Sequence, residues 1–362
     1  MKALVYHGNK DLRLEAVPEP VPVPGEMKLR IDYCGICATD IEEYLYGPKF
    51  IFGESVPLIT GHEITGTVVE TTGDGVAVGD RVVLNTVLTC GKCHGCLTGQ
   101  KTQCPNMATA GFARDGGLAE YMVWPASEAI RLPAGVSSEE AALVEPASVA
   151  LHAIRRSRIT AGESVVILGC GTVGLLAMQQ AKAAGGHVIA VDRRRISLDM
   201  ASDLGADSTI DARDPDLGAK LRELNDGAGP DLVIDAAGGK DTPALAVDWV
   251  RIGGRVLLVA IYTAIPKFDF NSLVAGEKEI IGSLGYERRD VEEVVGMIDA
   301  GDLRTAPLIT DKIGLEEIIE KGFDRMLQPK KDVFRILVSP TGAAHAQGGG
   351  ARVCLIEGTA HT

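Results

Sequence analysis

The order of apolar and polar positions divides the chain into two kinds of text. Up to about residue 145, short β-type runs alternate with turn residues at close intervals, as in Lys28-Leu29-Arg30-Ile31, Gly66-Thr67-Val68-Val69-Glu70 and Asp80-Arg81-Val82-Val83-Leu84. This spacing predicts a β-rich, irregular domain. Near Ser138 the period changes, and Ser138-Glu139-Glu140-Ala141-Ala142-Leu143 opens a helical pattern. Ser164-Val165-Val166-Ile167-Leu168 then forms a continuous apolar run, which a parallel strand covered on both faces requires. A Gly-rich turn, a helix-period stretch from Leu175 to Ala184 and a second such run, Val188-Ile189-Ala190-Val191-Asp192, complete a β–α–β unit. Further buried runs lie at Asp231 to Asp235 and Gly254 to Val259. Strands alternating with helices predict an α/β fold with a doubly wound parallel sheet. A helix from Val291 to Ala300 and a last strand from Val333 to Val338 follow, and the Gly-, Ala- and His-rich stretch from Thr341 reads as a weakly ordered tail. No fixed-period repeat is present.

Composition narrows the function classes. A chain of 362 residues exceeds one ordinary core and points to two domains. Lys and Arg total 36 against 49 Asp and Glu, a formal charge of −13, without basic clusters. That balance argues against nucleic acid or an anionic membrane as partner. No apolar run reaches about 18 residues, so no transmembrane helix is expected. Met1 to Tyr6 leads straight into a strand pattern without the features of a signal peptide, so a cytoplasmic location is expected. Of eight cysteines, four sit in one short segment. In that setting the arrangement reads as metal binding before disulfides.

Gly169-Cys170-Gly171-Thr172-Val173-Gly174 is a G-x-G-x-x-G between a buried strand and a helix, the context that the nucleotide-binding pattern requires. Gly169 permits the tight turn, Gly171 lets the backbone approach a pyrophosphate, and Gly174 lets helix and strand pack closely. The phosphates meet the N–H groups of Thr172, Val173 and Gly174 at the helix N-terminus. Asp192 ends the next strand, 23 residues after Gly169. A carboxylate there accepts from the ribose hydroxyls and repels a 2′-phosphate, which favours NAD over NADP. Arg193, Arg194 and Arg195 follow at once and offer charge to a 2′-phosphate, the competing reading.

Cys90, Cys93, Cys96 and Cys104 are spaced C-x2-C-x2-C-x7-C. Thiolates at such intervals wrap a tetrahedral zinc and leave no position for substrate, so the site is structural. An iron–sulfur cluster is the alternative for the same donors. Cys37, His62, Glu63 and Glu145 are further ligand types, but each has an ordinary reading: a small buried apolar group, a satisfied buried imidazole, a capping or pairing carboxylate. Their spacing alone does not promote them.

Taken together and in order, Gly35 to Asp40, Gly61-His62-Glu63, the four-cysteine loop, Val144-Glu145-Pro146 and the G-x-G-x-x-G resemble the zinc-containing medium-chain dehydrogenase/reductase family, over nearly the whole chain to about Pro340. The segments Cys37 to Asp40, Glu43 to Pro48 and Gly282 to Tyr286 look most like its polyol branch of 2,3-butanediol, sorbitol and threonine dehydrogenases. The resemblance implies a GroES-like catalytic domain (1–146, returning at 289–340) around a Rossmann domain (147–288), with 341–362 as the tail. It implies a catalytic zinc on Cys37, His62 and an acid, either Glu63 or Glu145, with one of them acting through water. Asp40 becomes the carboxylate that orients the imidazole, and Arg335 matches a position that reaches the pyrophosphate.

The implied reaction is oxidation of a secondary alcohol to a ketone. Zinc acts as the Lewis acid, Thr39 takes the hydroxyl proton and passes it through the nicotinamide ribose, and hydride goes to the nicotinamide. Where many relatives end this relay in a His, this chain has Glu42, whose ordinary pKa of about 4.3 suits neutral pH poorly. Glu42 is thus either the relay terminus or a solvated surface charge. Tyr44, Phe52 and Phe112 are expected to line the substrate pocket. Partners are a small alcohol or ketone and further copies of the chain, as a homodimer or homotetramer. Competing readings are a threonine- or cyclitol-type dehydrogenase, a zinc-free reductase on the same fold, which has no use for the full ligand set, and a non-enzymatic nucleotide-binding or redox-sensing relative.

Overall fold

A computed structural model describes residues 1–51, 55–224, 226–262, 264–328 and 332–342. Phe52 and the tail from 343 lie outside the described residues. The five residues of Ser164–Leu168, four of them apolar, are all buried and form the middle of a six-stranded sheet. Its order is Ser208–Asp211, His187–Asp192, Ser164–Leu168, Leu232–Asp235, Arg255–Leu258, Glu279–Gly282. Every neighbouring pair is parallel. The strand order reverses direction between Ser164–Leu168 and Leu232–Asp235, and ligands of such sheets bind outside the carboxyl ends at that point.

The β-rich text folds into a second sheet, with spatial order Ala129–Arg131, Arg81–Leu84, Glu63–Thr71, Glu26–Gly35, Arg335–Ser339, Ile309–Gly314. The strand Tyr121–Pro125 also pairs with Glu26–Gly35. The long strand Glu26–Gly35 therefore has the start of the domain on one side and the end of the chain on the other. Leu337 faces Gly35 in one register, and Gly35 faces Glu63 in the next. The sequence pattern does not announce this return, because Arg335–Ser339 is buried at all five positions and carries no alternation to mark its face.

Helix boundaries follow local chemistry. Thr172–Ala183 starts where the glycine turn ends. Arg288–Ala300 starts three residues earlier than the apolar period alone predicts. Its extension rests on a capping box: Asp290 accepts the Glu287 N–H, and Gly301 closes the other end at φ 80°. The pattern near Ser138 resolves into a short helix, Ser138–Ala141, capped by Ser137 and Glu140, followed by Val144–Ser157. The second helix is buried almost all round, at Val144 to Ser148, Ala150 to Ile154 and Ser157. Pro146 lies in its first turn, where its missing N–H is tolerated. This helix packs against Thr172–Ala183 and Arg288–Ala300 in one core that also takes residues from both sheets, among them Tyr33, Val83, Val165 and Ile167. Among the described residues, no helix is long and apolar enough to cross a membrane.

A Cβ on Gly174 would lie 1.9 Å from the Gly169 carbonyl oxygen. Gly174→Ala must therefore push the helix off the strand. The expected loss is about 1–3 kcal/mol of stability, read as a lowered denaturation midpoint. At Gly171 a Cβ meets nothing within 4 Å. Gly171→Ala is expected to leave the midpoint unchanged and to weaken NAD binding, measured by fluorescence titration. Equal midpoints for the two variants contradict this division.

Candidate metal and nucleotide site

Cys37 ends the loop that leaves the strand Glu26–Gly35 and is the N-cap of the helix Ala38–Tyr46. Asp40, at the third helical position, accepts the Cys37 N–H at 2.8 Å through Oδ2. Its other oxygen, Oδ1, lies 3.7 Å from His62 Nδ1. One carboxylate thus caps the helix and aligns the imidazole. His62 and Glu63 arrive on the adjacent strand, where the register sets Glu63 opposite Gly35. A Cβ on Gly35 would come within 2.1 Å of Glu63 Oε2, so this glycine makes room for the carboxylate.

The ligand atoms of Cys37, His62 and Glu63 lie within 4.8 Å of one another. Sulfur, imidazole nitrogen and carboxylate oxygen are the zinc donor types, and three of them leave a fourth position open. Glu63 is fully buried and its Oε2 has no hydrogen-bond partner. Burial holds Asp40, Glu63 and Glu145 above the ordinary carboxylate range, and Glu145 is pushed up to about 7, with His62 opposing the rise. Burial pulls His62 down, but Asp40, Cys37 and Glu145 together outweigh it and the imidazole stands well above its usual value. Three acids crowded around one imidazole make a region where a divalent cation is stabilised, and its charge reverses the pressure to protonate. The set of three ligand residues contains Glu63 and not Glu145. Glu145 sits in the first turn of Val144–Ser157, buried beside the same groups.

Arg335, expected at a pyrophosphate, has a different setting in the structure. It is 3% exposed, its Nη2 lies 3.1 Å from Glu63 Oε1, and its Nη1 donates to the Ile36 carbonyl at 2.5 Å. The returning strand Arg335–Ser339 beside Gly35 delivers it there. Its described contacts serve the ligand cluster, and the sequence carries no signal for that, because the pairing of 335 with 63 exists only across strands.

Thr39 Oγ1 lies 3.5 Å from His62 Nε2, at the edge of the cluster. Glu42, one turn further, forms an ion pair with Lys49 at 3.3 Å, with both side chains largely covered. Neither the lysine nor its support was foreseen. Glu43 is buried and accepts the N–H groups of Lys49 at 3.0 Å and Phe50 at 2.8 Å, which fixes the loop that carries the lysine. Phe112 packs on His62 with ring centroids 4.8 Å apart, and Phe50 packs on Phe112. Tyr44, expected in the pocket, instead meets Phe323 edge-on at 5.8 Å, within the core of the β domain. Its position on the helix Ala38–Tyr46 turns it inward.

The sulfur atoms of Cys90, Cys93, Cys96 and Cys104 also lie within 4.8 Å of one another. Cys90 and Cys96 are 4.0 Å apart, and the Cys90 N–H points at Cys104 Sγ at 3.4 Å. Backbone N–H groups of Lys92 and Cys93 lower the Cys90 thiol to about 6, which favours the thiolate that a metal needs. The four-thiolate set fits a closed zinc site.

The nucleotide loop joins the two cores. Gly169 has φ 94°, and a Cβ there would strike Ala237 at 2.7 Å. The first helical bond runs from Leu175 N–H to the Gly171 carbonyl at 2.9 Å. The preceding N–H groups of Thr172, Val173 and Gly174 therefore face the open side of the turn, and Gly171 leaves space in front of them. Thr172 also donates its hydroxyl to the Phe334 carbonyl at 2.8 Å, tying the loop to the strand that carries Arg335. Asp192 accepts from Cys170 N–H at 2.8 Å and Arg194 N–H at 2.7 Å, which orients the carboxylate at the strand end. Arg194 lies over the Phe334 ring at 5.7 Å, whereas Arg193 and Arg195 are exposed.

Comparison with known proteins shows the family and the fold. The profile of the alcohol dehydrogenase GroES-like domain matches residues 23–134, and that of the zinc-binding dehydrogenases matches residues 172–300. The (R,R)-butanediol dehydrogenase of Bacillus subtilis (strain 168) is 35% identical, over 94% of this chain and 100% of its own length. A sorbitol dehydrogenase of Halalkalibacterium halodurans is 32% identical, over 88% of this chain and 94% of its own. The solved structure of a putative zinc-binding dehydrogenase from Sinorhizobium meliloti 1021, bound to NADP, superposes with a TM-score of 0.86 at 27% identity, covering 94% of this chain and 99% of that one. The chain belongs to the zinc-binding alcohol dehydrogenases, and its fold is the family's GroES-like domain joined to a Rossmann sheet.

Arg335→Met removes the counter-ion of a fully buried carboxylate. A loss of about 3–5 kcal/mol is expected from one broken buried pair, read by denaturant unfolding, together with weaker zinc retention on dialysis. Unchanged stability and zinc content contradict the assignment. By metal analysis, Cys37→Ser is expected to lose one zinc per chain and Cys93→Ser the other, with only Cys93→Ser lowering the thermal midpoint strongly.

Proposed function

We propose that the chain oxidises a vicinal diol or related polyol to the hydroxyketone, with NAD as hydride acceptor. The observation that carries this reading is the Cys37–His62–Glu63 set, with a half-buried Cys37, buried His62 and Glu63 and an open position, on a family background whose relatives include a butanediol and a sorbitol dehydrogenase. Zinc held by Cys37, His62 and Glu63 supplies Lewis acidity toward the alcohol, and the nicotinamide accepts the hydride. The chain's own residues do the rest. Asp40 holds the imidazole, Arg335 holds Glu63, and Phe112 with Phe50 covers the cluster against water. Thr39, with its hydroxyl at the rim, takes the proton, and Glu42 with Lys49 receives it at the outer end of the same helix. Glu145 holds a water or a substrate hydroxyl beside the ligands. Cys90, Cys93, Cys96 and Cys104 hold a structural zinc.

Asp192 supports NAD, since its oriented carboxylate accepts from ribose hydroxyls and repels a 2′-phosphate. The NADP-bound neighbour and the exposed Arg193 support NADP as the second reading. A homodimer or homotetramer is favoured by the edge strand Glu279–Gly282, which among the described residues pairs only with Arg255–Leu258 and exposes Ile280.

The test is NADH formation by zinc-loaded protein on stereoisomers of 2,3-butanediol, sorbitol, xylitol, inositols and threonine, with and without a chelator. Chelator-sensitive turnover of a diol or polyol is expected. Turnover confined to threonine or an inositol overturns the substrate class, and chelator-insensitive turnover overturns the metal role. Glu42→Gln is expected to lower kcat by about a hundredfold, the lower end of the range for lost proton transfer, without changing NAD affinity. An unchanged kcat makes Glu42 only a partner of Lys49.

A further inference from the structure

The glycine turn and Asp192 account for one side of the crevice at the carboxyl end of the Rossmann sheet. Asp192 ends the strand His187–Asp192, on one flank of Ser164–Leu168, where the adenosine ribose is expected. A dinucleotide spans the point where the strand order reverses, so its other half lies over the strands on the opposite flank, Leu232–Asp235 and Arg255–Leu258. The turns that leave those two strands converge on one side chain, Asp235.

Asp235 is the last residue of its strand and is fully buried. Its Oδ1 accepts the N–H groups of Ala237 at 2.9 Å and Gly238 at 3.3 Å. Its Oδ2 accepts the hydroxyls of Thr242 at 2.5 Å and Tyr262 at 2.7 Å. Its main-chain carbonyl takes the N–H groups of Val259 at 3.1 Å and Ala260 at 3.2 Å. A carboxylate offers about four acceptor sites, and all of them are taken within the protein. Asp235 therefore joins the turn 236–239 to the turn 259–262 and keeps no lone pair for a ligand.

The packing is equally close. Gly238 stands at φ 67°, and a Cβ there would meet the Ile261 carbonyl oxygen at 2.8 Å. Ala237 lies against Gly169, the first glycine of the phosphate turn. Three turns thus stack across the carboxyl end of the sheet. Tyr262 is half-buried, and burial with the Asp235 carboxylate pushes its phenol above the usual range, so it stays a donor at neutral pH. Closing the turn 236–239 needs only the Ala237 and Gly238 N–H groups. The Tyr262 bond, which spans 27 residues, is a link between turns that local turn chemistry does not require.

We infer that Asp235 and Tyr262 form a lock that positions the nicotinamide half of the cofactor, an inference that rests on the NAD reading above. Asp235 is a positioning residue: it acts through the Ala237–Gly238 backbone and the Tyr262 ring, which it holds in place before the nucleotide arrives. Turns freed from the lock must be ordered when the nucleotide binds, and that cost falls on the nicotinamide half alone.

Tyr262→Phe keeps the ring and removes the bond, and Asp235→Asn keeps an acceptor for the two N–H groups and loses the charge that faces the hydroxyls. Calorimetric titration of the zinc-loaded full chain compares NADH with AMP, which is the adenosine half of the same molecule. Both variants are expected to bind NADH at least about tenfold more weakly, the loss of one bond to a charged group, and to bind AMP as the parent chain does. Equal weakening of NADH and AMP overturns the inference, since a merely structural role moves both. An unchanged NADH affinity in Tyr262→Phe overturns it as well, and that variant decides alone if Asp235→Asn does not fold. A parent chain that takes NADPH and refuses NADH overturns the NAD reading only, and the same comparison then runs on NADPH against adenosine 2′,5′-bisphosphate.

Discussion

The pairing of Arg335 with Glu63 is the contact on which the arrangement of this protein turns. A fully buried carboxylate is stabilised by a cation at hand, and the arginine 3.1 Å from Glu63 comes from the far end of the chain. To deliver it, the strand Arg335–Ser339 must return past the whole Rossmann sheet and lie against Glu26–Gly35. Phe334, the residue just before that strand, offers its carbonyl to Thr172 at the nucleotide loop. One buried ion pair thus requires a chain path that also fixes the ligand cluster relative to the phosphate-binding turn.

Around that pair the site is built from groups that serve two partners each. Asp40 caps a helix and faces His62. Gly35 ends a strand and vacates the space that Glu63 fills. Asp192 orders its own turn while presenting a carboxylate at the strand end. Such sharing covers only part of the cluster: Asp40 Oδ1, His62 Nδ1 and Glu63 Oε2 are buried without a hydrogen-bond partner, and the remaining imbalance is negative, which suits a divalent cation. The four-cysteine loop solves a different problem. It has little apolar material, so thiolates around a metal do for it what a core does elsewhere.

The helix Val144–Ser157 ties these parts together. It is buried on nearly every side and packs against the first nucleotide-loop helix and the last long helix in one continuous core.

Much of this was legible in the residues themselves. Buried runs at Ser164–Leu168 and Val188–Asp192 with glycines between them require a parallel sheet and a phosphate turn, since no other use of that period and those φ values is cheap. Four cysteines at short spacing require a metal, since local geometry alone brings their sulfurs together. Cys37, His62, Glu63 and Glu145 were legible only as a family pattern, because 108 residues separate the first from the last and no local rule links them. What tertiary structure alone decided is which groups meet across strands and helices. Glu63 rather than Glu145 shares the ligand set, Arg335 answers Glu63, Lys49 answers Glu42, and Tyr44 turns into the core while Phe112 covers His62. Each of these depends on strand register or on the packing of one helix face, and those are properties of the assembled chain, set by the burial of every other residue at once.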